Sequence, residues 1–359
     1  MKKEQRITRR EFIKKTGAVS GAAFVTASVG PFVHTTMAKG KTLRICSYGG
    51  DYQASQRRVF FEPFASQFGV KIIESSGPGI SQVKTQVDNK AYKWDVVDLE
   101  TRDVVRGELQ NLLEPVNASI VKVGRLHQKA VRKASVGNIF WSTCLAYNKK
   151  ALAGKRPAAC WADFWNVKKF PGPRALQNKA IFNLEFALLA DGVSKDNLYP
   201  LDLERAFKNM DKIKNHITFW WQNEAQQAQL LTEAKVSYSS VWNEGFKAAQ
   251  NRGAPLEMVW EGGCMDLDWW CIPKGNPNKE LAMKFIHFAL SARRQAKQAE
   301  EYIAYGPTNK YAFKYISEAK ARQLPSYPDN MKKQFVQDAY YWGARLGDVT
   351  ERWRIWMTS

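Results

Sequence analysis

Chemistry in a protein comes from few side-chain types, and in this chain of 359 residues those types are thinly and awkwardly placed for catalysis. The four histidines are His34, His127, His216 and His287, and none stands in an HExxH helix, a nucleophile elbow or a Ser/His/Asp setting. His287 falls among apolar neighbours of a predicted helix, which favours packing over proton transfer. Five cysteines (Cys46, Cys144, Cys160, Cys264 and Cys271) form no CxxC pair and no Cys/His cluster with metal spacing, which argues against zinc and iron–sulfur sites. Their odd number leaves at least one thiol unpaired, and spacing alone does not fix any pairing. Gly77-Pro78-Gly79 is a turn with no GK(S/T) after it, so no phosphate loop is present. No flavin or haem fingerprint is found either, and no cofactor is expected. What the chain does hold in quantity is rigid aromatic surface, with thirteen tryptophans.

The elements that must position these residues follow from periodicity. Residues 42–46 alternate like a strand and break at Gly49-Gly50. A helix is predicted over 52–68, with Val59, Phe60, Phe64 and Phe68 on one face, followed by strands over 70–73 and 94–99 and a helix over 104–113. A second series begins with a strand at 139–148. It continues with helices near 182–190 and 203–213, a strand at 217–221, a helix at 225–231, and strands at 236–242, 256–260 and 269–272. One long amphipathic helix is expected from Lys279 to about Glu301. Strand alternating with helix is the pattern of a parallel sheet covered by helices, an α/β fold. About 320 residues beyond the N-terminal segment exceed one core, so two domains are expected.

That N-terminal segment carries Lys2, Lys3 and Arg6, then Thr8-Arg9-Arg10-Glu11-Phe12-Ile13-Lys14, then a mildly apolar stretch to Val33. Basic then apolar is a secretory signal, and the paired arginines resemble a twin-arginine export signal. Gly17, Gly21, Gly30 and Pro31 make a membrane anchor a poor fit. Small residues around Ala38 place cleavage there. Loss of residues 1–38 removes seven Lys/Arg and two Glu, taking the formal charge from +20 to about +15. The remaining basic residues are scattered without a recognition motif, which argues against nucleic acid.

Several segments, in order, carry a family resemblance: ICSYGGDYQAS, KWDVVDLETRDVVRG, FWSTCLAYNKKAL, HITFWWQNEAQQAQLL, SVWNEGFKAAQ, DWWCIPKGNPNKELAMKFIHFALS and YGPTNKYAF. They are similar to extracellular solute-binding proteins of the spermidine/putrescine-binding type, from about residue 41 to residue 313. The resemblance implies a type II periplasmic-binding-protein fold, with two doubly wound lobes joined by a multi-strand hinge and a ligand trapped between them on closure. It implies a periplasmic protein, monomeric, working with an ABC permease and ATPase, and not an enzyme. The expected layout is a signal at 1–38, lobe 1 over 39–140, lobe 2 over 141–264, a return to lobe 1 over 265–310, and a C-terminal helical segment over 311–359 packing across both. Residues 139–146 and 268–273 are expected to cross between lobes.

Polyamine binders box a protonated amine with carboxylates and aromatic faces, each aromatic contact worth about 0.5–2 kcal/mol. By that similarity Tyr48, Tyr52, Trp242, Asp268 and Tyr305 match ligand-holding positions, and Glu100 adds an acid near the cleft mouth. The chain also departs from the pattern. Where an acidic pair would grip a second amine it has Gln177, Asn178 and Lys179, with Glu185 the first carboxylate to follow, and Asp266 replaces a tryptophan. A shorter amine, an amidine, or an amino acid such as gamma-aminobutyrate therefore remain open as solutes. Two alternatives are an exported cofactor-dependent enzyme and a ferric-iron binder using Tyr340-Tyr341. The latter pair falls in an amphipathic helix, where neighbours point about 100° apart.

Overall fold

The computed structural model describes residues 41–359, so the signal segment 1–38, with Arg9, Arg10 and His34, lies outside the described residues. Strand β1 (Thr42–Ser47) buries Leu43 and Ile45 and exposes Arg44, as its alternation requires. The helical stretch that follows is continuous from Gly50 to Phe68 but contains a π-turn at Arg57–Phe61, which turns Val59, Phe60 and Phe61 inward together. Gly69, with φ 62°, closes it in the left-handed conformation that lacks a penalty only for glycine. Strands β2 (Lys71–Ser76) and β3 (Val96–Glu100) both run parallel to β1.

Two long strands carry the chain through the middle of the sheet: β4 (Ser135–Asn148) and β8 (Leu256–Cys271), antiparallel to each other. Between them in sequence lie β5 (Arg174–Gln177), β6 (Ile217–Trp221) and β7 (Tyr238–Trp242). The sheet order is β2-β1-β3-β8-β4-β7-β5-β6, with short β9 (Gly306–Pro307) on β4 and β10 (Phe335–Val336) on β8. One end of β8 pairs with β3, and the opposite end of β4 pairs with β7, so the ribbon joins two parallel units.

The ribbon breaks register where residues 260–263 of β8 face Cys144 alone. Glycines make that bulge feasible: Gly262 has φ 69°, and a Cβ on Gly263 would stand 2.8 Å from Cys144 Sγ. The sequence pattern showed two strands, at 256–260 and 269–272, where the structure has one bulged strand. Residues 268–271, expected as a crossing, sit wholly on the β3 side.

Separate cores fill the two sides. Leu43, Phe60, Phe64, Trp270 and Phe285 pack on the β1–β3 side, and Trp161, Phe164, Phe186, Met210 and Tyr238 on the other. The helix predicted from Lys279 to about Glu301 is two, Lys279–Ala289 and Ala292–Glu301, because Ser291 is extended (φ −65°, ψ 142°). The C-terminal helix Ala339–Thr358 starts where Asp338 accepts the N–H groups of Tyr340 and Tyr341. It seats Trp342, Trp353 and Trp356 in the β5–β7 core and also packs on helix Thr101–Leu109. No helix among the described residues is long and apolar enough to cross a membrane.

Candidate functional site

The carboxyl ends of parallel strands are where open α/β sheets bind ligands, because the loops there diverge and helix N-termini face the gap. A cavity of about 430 Å³ opens at this place, and Tyr48, Tyr52, Glu100, Trp242, Asp268 and Tyr305 all line it. The structure thus brings the six sequence-selected residues together.

Each arrives for a local reason. Gly49 and Gly50, with φ of 82° and 55°, turn β1 sharply into its helix and present Tyr48 and Tyr52 on one side. Tyr48 is 38 % exposed, whereas Tyr52 is buried and donates its hydroxyl to Asp98 Oδ2 at 2.8 Å. Asp98 also receives Gln56 Nε2 (2.9 Å), Ser47 Oγ (3.3 Å) and Asn138 Nδ2 (3.3 Å). Its burial raises its pKa despite these donors. Tyr52 therefore serves twice, holding Asp98 and standing edge-on to Tyr305 with ring centroids 5.3 Å apart.

Asp268 lies opposite Glu100 across β8 and β3. Burial first, and then the charges of Asp98, Glu100 and Asp266, push its pKa far up. Trp141 Nε1 donates to its Oδ1 at 3.1 Å. Asp266 stays out of the cavity. It accepts the Thr101 hydroxyl and the Leu267 N–H, and burial pushes it up to about 7. Glu100 forms an ion pair with Arg102.

The far wall comes from β6 and β7. Trp242 ends β7, its N–H held by Gln227 Oε1 at 2.7 Å and its ring edge-on to Trp221. Asn243 accepts the Ser142 N–H and donates to the Ala304 carbonyl, pinning the start of its helix to the central ribbon. Glu244 accepts the Tyr305 hydroxyl and is pushed up to about 7, by burial and then by Glu224. Glu224 accepts the Gly245 N–H at 2.8 Å, an approach that only glycine permits, since a Cβ there would meet Glu224 Cγ at 2.5 Å.

Trp141, Asp51, Glu224 and Glu244 were not selected from the sequence, yet all line the cavity. Three of them obey one rule: Asp51, Glu224 and Glu244 follow the carboxyl ends of β1, β6 and β7, as Glu100 ends β3. Trp141 sits mid-strand in an apolar run and carries no comparable signal. Glu185 is elsewhere, in the β5–β7 core, bonded to Tyr199 and Trp342. Tyr340 and Tyr341 diverge on their helix, one 57 % exposed and bonded by Arg132, the other against Trp342. Among the described residues no group of His, Cys, Asp or Glu is placed to hold a metal, and the five cysteines are all free. Five carboxylates line the cavity (Asp51, Glu100, Glu224, Glu244 and Asp268) with no lysine, arginine or histidine among the lining residues.

Comparison with known proteins agrees with this architecture. Residues 60–326 match the family described as bacterial extracellular solute-binding protein. The chain is 34% identical over 332 residues to the gamma-aminobutyric acid-binding protein of Pseudomonas aeruginosa, covering 90% of this chain and 93% of that one. It is 28% identical over 282 residues to the spermidine/putrescine-binding periplasmic protein of Salmonella typhimurium, covering 75% and 79%. A solved ABC transporter substrate-binding protein from Bradyrhizobium japonicum superposes with a TM-score of 0.82 at 39% identity, over 88% of this chain and 99% of that one.

Proposed function

This chain belongs to the bacterial extracellular solute-binding proteins, and from that premise we propose that its cavity captures a small amine-bearing solute, a polyamine or a related compound, for an ABC importer. Like the substrate-binding proteins it resembles, it is not an enzyme. The observation that carries the amine reading is the lining itself. Of the five carboxylates only Glu100 is paired with a cation, Arg102, among the described residues, and the other four leave a negative potential that an organic cation relieves. Trp141, Trp242, Tyr48, Tyr52 and Tyr305 supply π faces for the same charge.

A second reading, an ω-amino acid such as gamma-aminobutyrate, is favoured by Lys179, whose ammonium lies 6.0 Å from the centre of the Trp242 ring and forms no ion pair among the described residues. A carboxylate at the solute's far end would meet it there. The relative from Pseudomonas aeruginosa supports that reading by its name.

Capture would proceed by bending of the β4–β8 ribbon at residues 260–263, which closes the β1–β3 side onto the β5–β7 side. A permease and an ATPase would read the closed form. Export by the twin-arginine route rests on Arg9 and Arg10, and replacing both with lysine is expected to leave precursor in the cytoplasm. Ligand stabilises the native state by RT ln(1 + [L]/Kd), so a thermal-shift screen tests the solute class directly. Putrescine, spermidine, gamma-aminobutyrate or a guanidino compound is expected to raise the melting temperature. A shift with a neutral sugar and none with any amine overturns the reading.

A further inference from the structure

Trp141 touches both sides of the molecule at once. It lies on β4 opposite Asp266, between the two irregularities of the ribbon, at Gly137/Ile139 and Thr143/Leu145. On the β1–β3 side its indole N–H is the one hydrogen bond that the Asp268 side chain receives among the described residues. On the other side its ring stands edge-on to Phe182, with centroids 6.0 Å apart and planes at 80°. Phe182 is itself unusual. It is buried in the β5–β7 core, and it holds φ 73° inside the stretch Ala180–Ala190, with Ile181 before it extended. A bulky residue at positive φ is strained by about 1–3 kcal/mol and persists only where its surroundings hold it. Here they hold its ring against Trp141.

We propose that Trp141 is a positioning residue: its N–H orients the Asp268 carboxylate in the cavity, and its ring, seated on Phe182, makes that orientation depend on how the two sides of the sheet are set. This rests on the amine reading only for its consequence in binding, because the orientation itself belongs to the unliganded protein.

The groups that face Asp268 explain why one donor matters. Asp98 and Glu100 approach from β3, Asp266 from β8 itself, and the phenols of Tyr48, Tyr52 and Tyr305 from the first turn and from the segment before β9. Arg102, the nearby guanidinium, is committed to Glu100. All the facing carboxylates disfavour a charged Asp268, while the Trp141 N–H favours it. Removing that donor therefore makes the carboxyl hold its proton to higher pH.

The test is a titration of the Asp268 carboxyl carbon by nuclear magnetic resonance in the unliganded protein, with the signal assigned by its loss in Asp268→Asn. Trp141→Phe keeps an aromatic ring on Phe182 and removes the N–H, and the midpoint is expected to rise. Phe182→Leu keeps the N–H but frees the ring, and a smaller rise is expected. Trp141→His restores a donor and should return the midpoint toward that of the unaltered protein. Putrescine binding is read in parallel, with Kd expected to weaken about tenfold in Trp141→Phe near neutral pH and to recover at high pH, where Asp268 is ionised in either protein. An unchanged midpoint in Trp141→Phe overturns the proposal, and an unchanged midpoint in Phe182→Leu overturns the link between the two sides. If the midpoints move but neither putrescine nor gamma-aminobutyrate binds, the positioning role stands and the amine reading fails.

Discussion

Asp268 and Glu185 are both buried carboxylates that accept an indole N–H, yet they sit in opposite electrostatic settings. Glu185 is fully buried, and it accepts the Tyr199 hydroxyl and the Trp342 indole, each at 2.7 Å. Its polar partners are neutral donors, and Trp342 belongs to the C-terminal helix, so the cluster fastens that helix to the β5–β7 core. Asp268 has one such donor and three carboxylates near enough to raise its pKa. Burial raises both groups, and so burial alone does not mark a site. What separates them is the charge around them. Glu185 holds two neutral donors on Oε1, its Oε2 has no hydrogen-bond partner among the described residues, and no neighbouring carboxylate raises its pKa, whereas Asp268 stands among three carboxylates whose negative charge an incoming cation would offset.

The largest effect expected from this contrast is an exchange of phenotypes between two substitutions. Asp268→Asn removes one partner of a desolvated charge pair, a loss of about 2–5 kcal/mol, so an amine ligand should bind at least tenfold more weakly. The same change relieves repulsion among Asp98, Glu100 and Asp266, so the unliganded melting temperature should hold or rise. Glu185→Ala leaves the Tyr199 and Trp342 donors without their acceptor, at about 1–3 kcal/mol for each buried group. It should lower the melting temperature by several degrees and leave the Kd of the folded protein unchanged. Calorimetric unfolding and titration of both variants decide the matter. A destabilised Asp268→Asn with normal affinity, or a stable Glu185→Ala that no longer binds, would erase the distinction.

The same contrast accounts for what the sequence could and could not convey. Strand and helix alternation placed β1, β3, β6 and β7 within a few residues, because each is a short run carrying β-branched or aromatic residues between helical segments. Tyr48, Glu100, Trp242 and Tyr305 lie at strand ends or in the turns next to them, where position in the sheet has functional meaning, while Tyr52 is in the helix after β1 and Asp268 is inside β8 beside Glu100. The same rule, applied to every parallel strand, also reaches Asp51, Glu224 and Glu244. Trp141 was beyond it: a tryptophan in the middle of FWSTCLAYN has the pattern of core, and only the register of β4 against β8 reveals that it meets Asp268. The single strand from Leu256 to Cys271 was hidden for a related reason, since Gly262-Gly263 looks like a turn and is instead a bulge within a ladder. The end of the helix at Ala289 had no Gly or Pro to announce it.

A smaller effect, and a finer division of the two regions, lies in the pH dependence of stability. Asp266 and Glu244 are pushed up to about 7, and Asp98 and Asp268 are also raised, all by burial first. For an acid whose folded pKa exceeds its unfolded value, the native state binds more protons over the interval between the two, so stability falls as pH rises through it. Surface acids with lowered values, such as Glu74 and Asp191, are already ionised by about pH 5 and add no slope above it. His127, whose pKa is lowered by desolvation, opposes the trend. Glu224 is raised in the same way, so five acids in or beside the cleft stand against one histidine, and the unliganded melting temperature is expected to fall between about pH 5 and pH 8. A bound amine favours the ionised cleft acids, so the ligand-induced rise in melting temperature should be larger at about pH 8 than at about pH 5. Glu185 contributes a slope of the same sign that no ligand reaches. Glu185→Gln should therefore flatten the liganded and unliganded profiles alike, and Asp266→Asn should flatten mainly the unliganded one. Equal flattening of both profiles by Asp266→Asn would mean that the acids beside the cleft do not sense the ligand, and that the two buried regions differ in location but not in electrostatic role.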